Sequence, residues 1–242
     1  LYSAKSYLWL SYHQSKSNIT GQPAPAGSFI DISQPPSNDP FIASIDEPYS
    51  KEYRLQWHND ILVNKVNSLQ LGLEYRHINV DNFIVKNNFD LTDIVQGNFP
   101  IRYYGELKET SLVQSASQRD IYGVYSQYQG KFFSNTELTI GLRYDYFSTI
   151  GSHLSPRIAV TQQINANQTV KLIYSQAFRA PSEAELNLQN NLQFAGSPNL
   201  QAETVQTWEL IWQGQWQHFN ASLGYFENHF DNAIVRVANE EG

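Results

Sequence analysis

The chain contains 242 residues, of which 16 are Lys or Arg and 23 are Asp or Glu, so its formal net charge at pH 7 is −7. That charge argues against a broad nucleic-acid-binding surface, and we expect no nucleic-acid partner. The chain has no cysteine, which excludes disulfide frameworks, thiolate catalysis and cysteine-based metal sites. No uninterrupted apolar run approaches the roughly 20 residues of a membrane-spanning helix, so a helical membrane protein is also excluded.

The beginning of the sequence does not read as a leader. The chain contains no Met and opens with LYSAKSYLWL, which lacks the basic start and apolar core of a signal peptide. We therefore expect the chain to be an internal piece of a longer precursor.

Apolar and polar residues alternate through most of the sequence, which is typical of β-strands with two different faces. In 137–146, the even positions are apolar or aromatic and the odd positions are polar or Gly from residue 138 onward. Roughly nine strands can be drawn in this way. Aromatic residues occupy both parities at 7–12 and 121–129, so the faces of these two strands stay unassigned. In chain order the alternating segments lie at 7–12, 53–58, 69–76, 121–129, 137–146, 170–175, 208–212 and 219–228.

The connections between these strands alternate in length. Short turns at one rim and long loops at the other are typical of an outer-membrane β-barrel, whose short side is periplasmic. The short connections lie near 63–67, 130–135, 164–168 and 213–217, the long ones lie at 14–48, 86–118 and 177–202, and a shorter link at 148–155 falls on the same rim as the long ones.

Aromatic residues favour a membrane barrel over a soluble β-sandwich. Phe132, Phe133, Trp212 and Trp216 lie beside short turns, and Tyr144, Tyr146, Tyr174 and Phe178 lie toward long loops, as two interfacial girdles require. We therefore predict an all-β fold, an antiparallel transmembrane β-barrel. Nine strands alone would leave open edges in lipid, so we expect an incomplete segment of a larger barrel. Leu71, Leu142, Leu172 and Leu210 should face outward, and Arg76, Arg143, Lys171 and Glu209 should face inward.

Two sequence motifs point to a family. SQAFRAPSEAEL occupies 175–186 and GSPNLQAETVQTWEL occupies 196–210. With RDIYGVYSQYQG at 119–130, they resemble the β-barrel of TonB-dependent outer-membrane receptors, with its FRAP box and its NPNL block. Ser197 stands where that family usually has Asn, and Ala202 where it often has Pro. The residues that match the two motifs are Phe178, Arg179, Ala180, Pro181, Pro198, Asn199, Leu200, Glu203 and Glu209.

The resemblance implies a barrel of about 22 strands that is filled by an N-terminal plug. Residues 1–242 would then form one partial barrel domain, with the plug and the closing strands outside them. The implied function is energy-coupled import of a scarce substrate, most simply a ferric siderophore, with cobalamin as an alternative. The implied partners are outer-membrane lipid, the plug, the TonB system and a small-molecule chelate. No His lies between the two motifs, so the resemblance does not support haem.

Two functions of other classes stay open, a passive porin and an outer-membrane hydrolase. Period two places His58 and Asp60 on one face, and His153 follows Ser152, so either pair resembles part of a catalytic site. We favour the interpretation that such charges belong to a polar barrel wall, because a polar lumen is obligatory in these proteins. The six His residues are dispersed, so we expect no built-in metal site and no resident cofactor.

The connection at 86–118 is the best candidate for ligand binding. Phe99, Arg102, Tyr103 and Tyr104 place aromatic rings and a cation in a long loop, where solubility does not require them. Arg179, at the outer end of a strand, is a further candidate contact for an anionic chelate. The alternative for Arg179, which we favour, is a structural clasp to its own loop.

Overall fold

A computed structural model describes residues 3–16, 18–26, 40–46, 50–98, 100–189 and 195–235. In this part of the chain no helix is long and apolar enough to cross a membrane. The described elements are β1 (Ser3–Ser15), β2 (Asn18–Ala24), β3 (Phe41–Asp46), β4 (Ser50–Asn64), β5 (Asn67–Val80), β6 (Phe83–Phe89), α1 (Leu91–Gln96), β7 (Tyr103–Gln114), β8 (Ser117–Phe133), β9 (Thr136–Phe147), β10 (Gly151–Asn165), β11 (Gln168–Arg179), α2 (Glu183–Asn187), β12 (Glu203–Gln215) and β13 (Asn220–Asp231).

Nine strands form one antiparallel sheet in the order β1-β4-β5-β8-β9-β10-β11-β12-β13, which we call the wall sheet. This confirms the prediction of an all-β antiparallel fold with about nine wall strands. At one rim, three pairs of neighbouring strands are joined by two-residue turns, such as the turn between Asn64 and Asn67, and β12 and β13 are joined by four residues. In the described residues, β1 pairs with β4 and β13 with β12, so the first and last strands lie at opposite edges and do not pair with each other.

The two faces of the wall sheet differ as the alternation predicted. Leu142, Leu172 and Leu210 are each close to half exposed and lie on one face together with other apolar residues. On the opposite face, Glu74 and Asp145 are buried beneath their neighbours. Strand register places Arg76, Arg143, Lys171 and Glu209 on that polar face, and Leu71 on the apolar one.

The structure also assigns the two strands whose faces the sequence left open. In β1, Tyr7 and Trp9 stack on each other and lie near the His58 ring, on the polar face. Tyr125 of β8 lies against the same His58 ring, while Val124 is exposed on the apolar face. Aromatic rings therefore line the polar side here because they cover a histidine, and simple alternation does not predict this.

The long connections are not loops throughout, which corrects the prediction for 14–48 and 86–118. Strands β2, β3, β6 and β7 form a second antiparallel sheet, which we call the outer sheet, because its strands lie within the long connections. Phe41 and Phe89 stack at 5.0 Å in its small apolar core, with Leu91, Ile94 and Ile101 against them. Most of this sheet lacks clean alternation, so its strands were missed.

The other two connections of this rim are shorter than the ranges predicted for them. β9 and β10 are separated by three residues, so most of the connection predicted at 148–155 is strand. The connection predicted at 177–202 begins inside β11, contains α2 and ends where β12 begins. We call its described part, 180–189 and 195–202, the box loop.

Candidate functional site

The predicted ligand-binding residues lie around α1, a six-residue helix between β6 and β7. Asp90 caps the helix and accepts a hydrogen bond from the Thr92 backbone N–H at 2.9 Å. Gly97 ends it with a φ of 67°, a left-handed conformation that glycine adopts without strain. The chain then turns back, and β7 begins at Tyr103. Phe99 lies outside the described residues.

Arg102 binds both carboxylates of this turn. Its Nε and Nη2 donate to the two Asp93 oxygens at 2.9 and 3.1 Å, and Nη2 lies 2.6 Å from an Asp90 oxygen. The hydrogen bonds from Arg102 lower the pKa of Asp93, and the same pairing raises the pKa of Arg102. The Arg102 side chain is nevertheless 66% exposed. Arg102 therefore holds α1 against the start of β7 while one side of its guanidinium stays open to solvent.

Tyr103 and Tyr104 follow Arg102 and face different neighbours. The Tyr103 ring stacks on Phe41 at 6.2 Å and belongs to the core of the outer sheet, although 38% of the residue is exposed. The Lys108 ammonium lies 5.0 Å from the centre of the Tyr104 ring, a cation–π contact. Burial and then a hydrogen bond to Asp90 raise the pKa of Tyr104. The three adjacent residues are thus brought together on one small folded unit.

Arg179 closes a clasp at the outer end of β11. Its guanidinium donates to both Glu185 oxygens, with Nη1 distances of 2.9 and 3.1 Å, and its Nε donates to Glu203 at the start of β12. Hydrogen bonds from Arg179 and then from the Ser182 backbone lower the pKa of Glu185 to about 2. This geometry agrees with the structural clasp that the sequence favoured, since the donor edges of the guanidinium face two carboxylates.

Other motif residues build the same corner. Phe178 stacks on the His153 ring at 4.6 Å and meets Phe147 edge to face at 5.6 Å. Ala180 links Phe178 and Arg179 to Pro181, which is fully buried. The remaining motif residues lie between α2 and β12 or within β12. Pro198 and Asn199 are exposed in a turn, and the Leu200 N–H donates to the Ser197 carbonyl. Glu203 belongs to the clasp, and Glu209 lies on the polar face of β12.

Four residues at this end of β11, Arg119, Ser182, Glu183 and Glu185, were missed by sequence reasoning. Arg119, at the start of β8, is only 7% exposed, pairs with Glu183 at 2.7 Å and donates to the Pro181 carbonyl at 3.0 Å. Glu185 forms a capping box with Ser182 at the start of α2. Ser182-x-x-Glu185 ahead of Leu186 is a recognisable sequence signal for such a cap, whereas nothing in the sequence pairs Arg119 with Glu183.

The charges of the polar face form a network across several strands. Glu74 binds Arg54 at 2.8 Å and Arg143 at 3.0 Å, and Arg143 also binds Asp145 at 2.6 Å. His58 has Nδ1 2.6 Å from the Tyr125 hydroxyl and Nε2 2.8 Å from Asp60. Both ring nitrogens of His58 therefore have partners within the polar face of the wall sheet.

The chain matches known proteins along its length. A family model described as TonB dependent receptor-like, beta-barrel matches residues 2–242. An iron-regulated outer membrane virulence protein of Vibrio cholerae is 36% identical over 107 residues, or 42% of this chain and 16% of that protein. The ferric enterobactin receptor PirA of Pseudomonas aeruginosa is 29% identical over 135 residues, or 49% and 18%. The vitamin B12 transporter of Vibrio vulnificus is 22% identical over 181 residues, or 75% and 25%.

A solved structure gives the same fold. The ferric enterobactin receptor from Pseudomonas aeruginosa superposes with a TM-score of 0.66 at 20% identity, covering 95% of this chain and 32% of that one. This chain therefore spans about a third of that receptor and a quarter or less of each of the three relatives.

Proposed function

Since this chain belongs to the TonB-dependent receptor-like β-barrel family of the bacterial outer membrane, we propose that the full-length protein imports a ferric siderophore across that membrane, with energy from the TonB system. The family comprises receptors and transporters rather than enzymes. A plug domain would fill the lumen against the polar face of the wall sheet, and outer-membrane lipid would contact the apolar face.

One observation supports the choice of substrate class. Tyr103, Tyr104 and Lys108 are brought together at the start of β7, on a folded unit that lies within a long connection rather than in the wall. Aromatic rings and a cation suit a chelate that combines negative charge with flat apolar surface. A relative with 29% identity over half of the chain is a ferric enterobactin receptor, which agrees with this choice.

We assign different roles to the proposed site residues. Tyr103 and Tyr104 would contact the ligand, and Arg102 would fix their position through Asp90 and Asp93 while offering the open side of its guanidinium. Arg179 would act through the clasp on the box loop rather than through the ligand. Phe99 stays a proposed contact on sequence grounds alone.

Cobalamin is the second candidate substrate. It is favoured by the vitamin B12 transporter of Vibrio vulnificus, whose match extends over 75% of this chain, more than that of the other two relatives. Cobalamin is large, and its single phosphodiester charge is offset by the positive cobalt–corrin centre, so the cation at Lys108 would contribute less to its binding than to that of a multiply anionic ferric catecholate. The two substrates therefore predict different responses to the same substitutions.

The test is a triple variant in the full-length receptor, with Arg102, Tyr103 and Tyr104 all replaced by Ala. We expect affinity for a ferric catecholate siderophore to fall by about 2 kcal/mol, or roughly 30-fold, as clustered aromatic and Arg contacts are lost. Tyr146→Ala, on the apolar face of the wall sheet, is the control and should leave affinity unchanged. Binding of the ferric siderophore is measured at equilibrium on whole cells, and its uptake is measured with and without the proton gradient.

Several outcomes would contradict the proposal. Unchanged affinity in the triple variant would remove this unit from the binding site. Uptake that persists without the proton gradient would remove energy coupling. Binding of cobalamin without binding of the siderophore would transfer the assignment to the second candidate.

A further inference from the structure

The box loop lies against the outer sheet although the two are far apart in sequence. The Gln189 backbone N–H donates to the Val113 carbonyl at 2.7 Å, and Gln114 and Leu188 form an antiparallel bridge. The Gln189 amide also donates to the Ser115 hydroxyl at 3.2 Å. Residues from the end of β7 are thus paired, strand-like, with the segment that follows α2.

Arg119, at the start of β8, binds the other end of the box loop. One guanidinium nitrogen donates to the Pro181 carbonyl at 3.0 Å and another pairs with Glu183 at 2.7 Å. Pro181 is fully buried and Arg119 is 7% exposed, so both groups have left water. Removal of one partner from a charged pair in such a place strongly destabilises the local structure, because the other charge is left buried without compensation.

Apolar residues are buried in both segments. Val113 of β7 and Leu186 of α2 are buried, as is Ala202, the residue just before β12. Gly196 approaches the backbone at Leu188 so closely that a side chain there would overlap it. The box loop is therefore paired with the end of β7 at Leu188 and Gln189, and its own two halves pack together at Gly196.

We propose that Arg119 is a positioning residue that couples the outer sheet to the box loop, so that the two respond to ligand as one body. The ligand part of this statement rests on the proposed function. Because Arg179 ties the box loop to Glu203 of β12, the coupling reaches from β7 across the rim to the far part of the wall sheet. The two candidate ligand regions, around Arg102 and around Arg179, would then be one site.

The coupling is tested first without ligand, by hydrogen exchange on the full-length receptor in detergent. In Arg119→Ala we expect exchange to become about tenfold faster in 182–189 and, to a similar degree, in 110–116 of β7. Arg119→Lys keeps the charge but cannot serve both acceptors in fork geometry, so it should give a smaller increase in both segments. Arg157→Ala, an exposed arginine of β10 on the polar face, is the matched control and should change neither segment.

A second measurement does not depend on how well the Arg119 variants fold. Gln114→Cys with Leu188→Cys places two thiols at directly bridged positions, where Cα distances suit a disulfide. The bridge should form on mild oxidation and slow exchange in both segments, and should restore slow exchange when it is combined with Arg119→Ala.

The outcomes separate this inference from the proposed function. Faster exchange in 182–189 alone, with 110–116 unchanged, would overturn the coupling, and so would a failure of the bridge to form. If both segments respond, the coupling stands even when no ferric siderophore binds. Where the siderophore binds to the unsubstituted receptor, Arg119→Ala should weaken it at least threefold, and the oxidised bridge should recover that loss.

Discussion

The wall sheet and the outer sheet are both antiparallel, but only the strands of the wall sheet can be recognised from the alternation of apolar and polar residues in the sequence. Pairing of β5 with β8 runs without interruption from Asn67 to Val80, whereas pairing of β6 with β7 shifts register at three places. The wall sheet separates two environments, so every strand must alternate. The strands of the outer sheet need not alternate in this way, and the shape of that sheet depends on individual side-chain contacts.

Those contacts are of a different kind from the ones in the wall. Asn88 receives a hydrogen bond from the Ile42 N–H at 2.8 Å and donates one to the Pro40 carbonyl at 3.0 Å, while it is almost fully buried. In the wall sheet, buried polar groups form charge networks across strands instead. The comparison predicts that the wall tolerates few charges on its apolar face, and that the outer sheet depends on a few buried amides.

The largest expected effect concerns the wall. Leu142→Arg should destabilise the barrel by about 2–4 kcal/mol, because a cation near the bilayer midplane has no partner in lipid. The measurement is reversible denaturant unfolding of the full-length receptor in lipid vesicles. Leu107→Arg, at an exposed position of β7 in the outer sheet, is the matched control and should shift stability by no more than about 0.5 kcal/mol. Equal losses in the two variants would break the distinction between the sheets.

A smaller effect is expected from the outer sheet. Asn88→Ala leaves the Ile42 N–H and the Pro40 carbonyl buried without their partner, at a local cost of about 1–3 kcal/mol. We expect faster protease cleavage within β3 and β6 on intact cells, with unchanged unfolding of the wall. Thr136→Ala, which removes an exposed-rim hydroxyl contact with Gln162, serves as the control. Protection of β3 and β6 equal to that of the unsubstituted receptor would contradict this role for Asn88.

The smallest effect is a response of the box loop to acid. The pKa of Glu185 is lowered to about 2 by Arg179, so the clasp contributes its full stability above the ordinary pKa of a glutamate and loses it as the pH falls toward about 2. A fluorescent probe on Asn187→Cys should therefore gain mobility, read as falling anisotropy, only below about pH 4.5. Glu185→Gln should be mobile at every pH. A transition near neutral pH would show that another group controls the loop.

The sequence could predict the wall but only part of the site. Alternation at 137–146 correctly placed Leu142 and Arg143 on opposite faces, because one face of the wall sheet is apolar and the other is polar. The pairing of Arg102 with Asp90 and Asp93 was not predicted, because it depends on α1, a helix of six residues that is too short to show a helical period in the sequence. The pair of Arg119 and Glu183 is separated by 64 positions, and only the fold brings them together.

Two glycines of the polar face allow large side chains to lie directly against the backbone of the wall sheet. The Tyr125 ring lies flat over Gly72, where even a methyl group would overlap it, and the Arg143 guanidinium lies close over Gly123. Because these large side chains rest against bare backbone, they follow the wall rather than project across the bore. A side chain at either glycine would displace the group above it from the polar face, and so change the shape of that face without adding any charge.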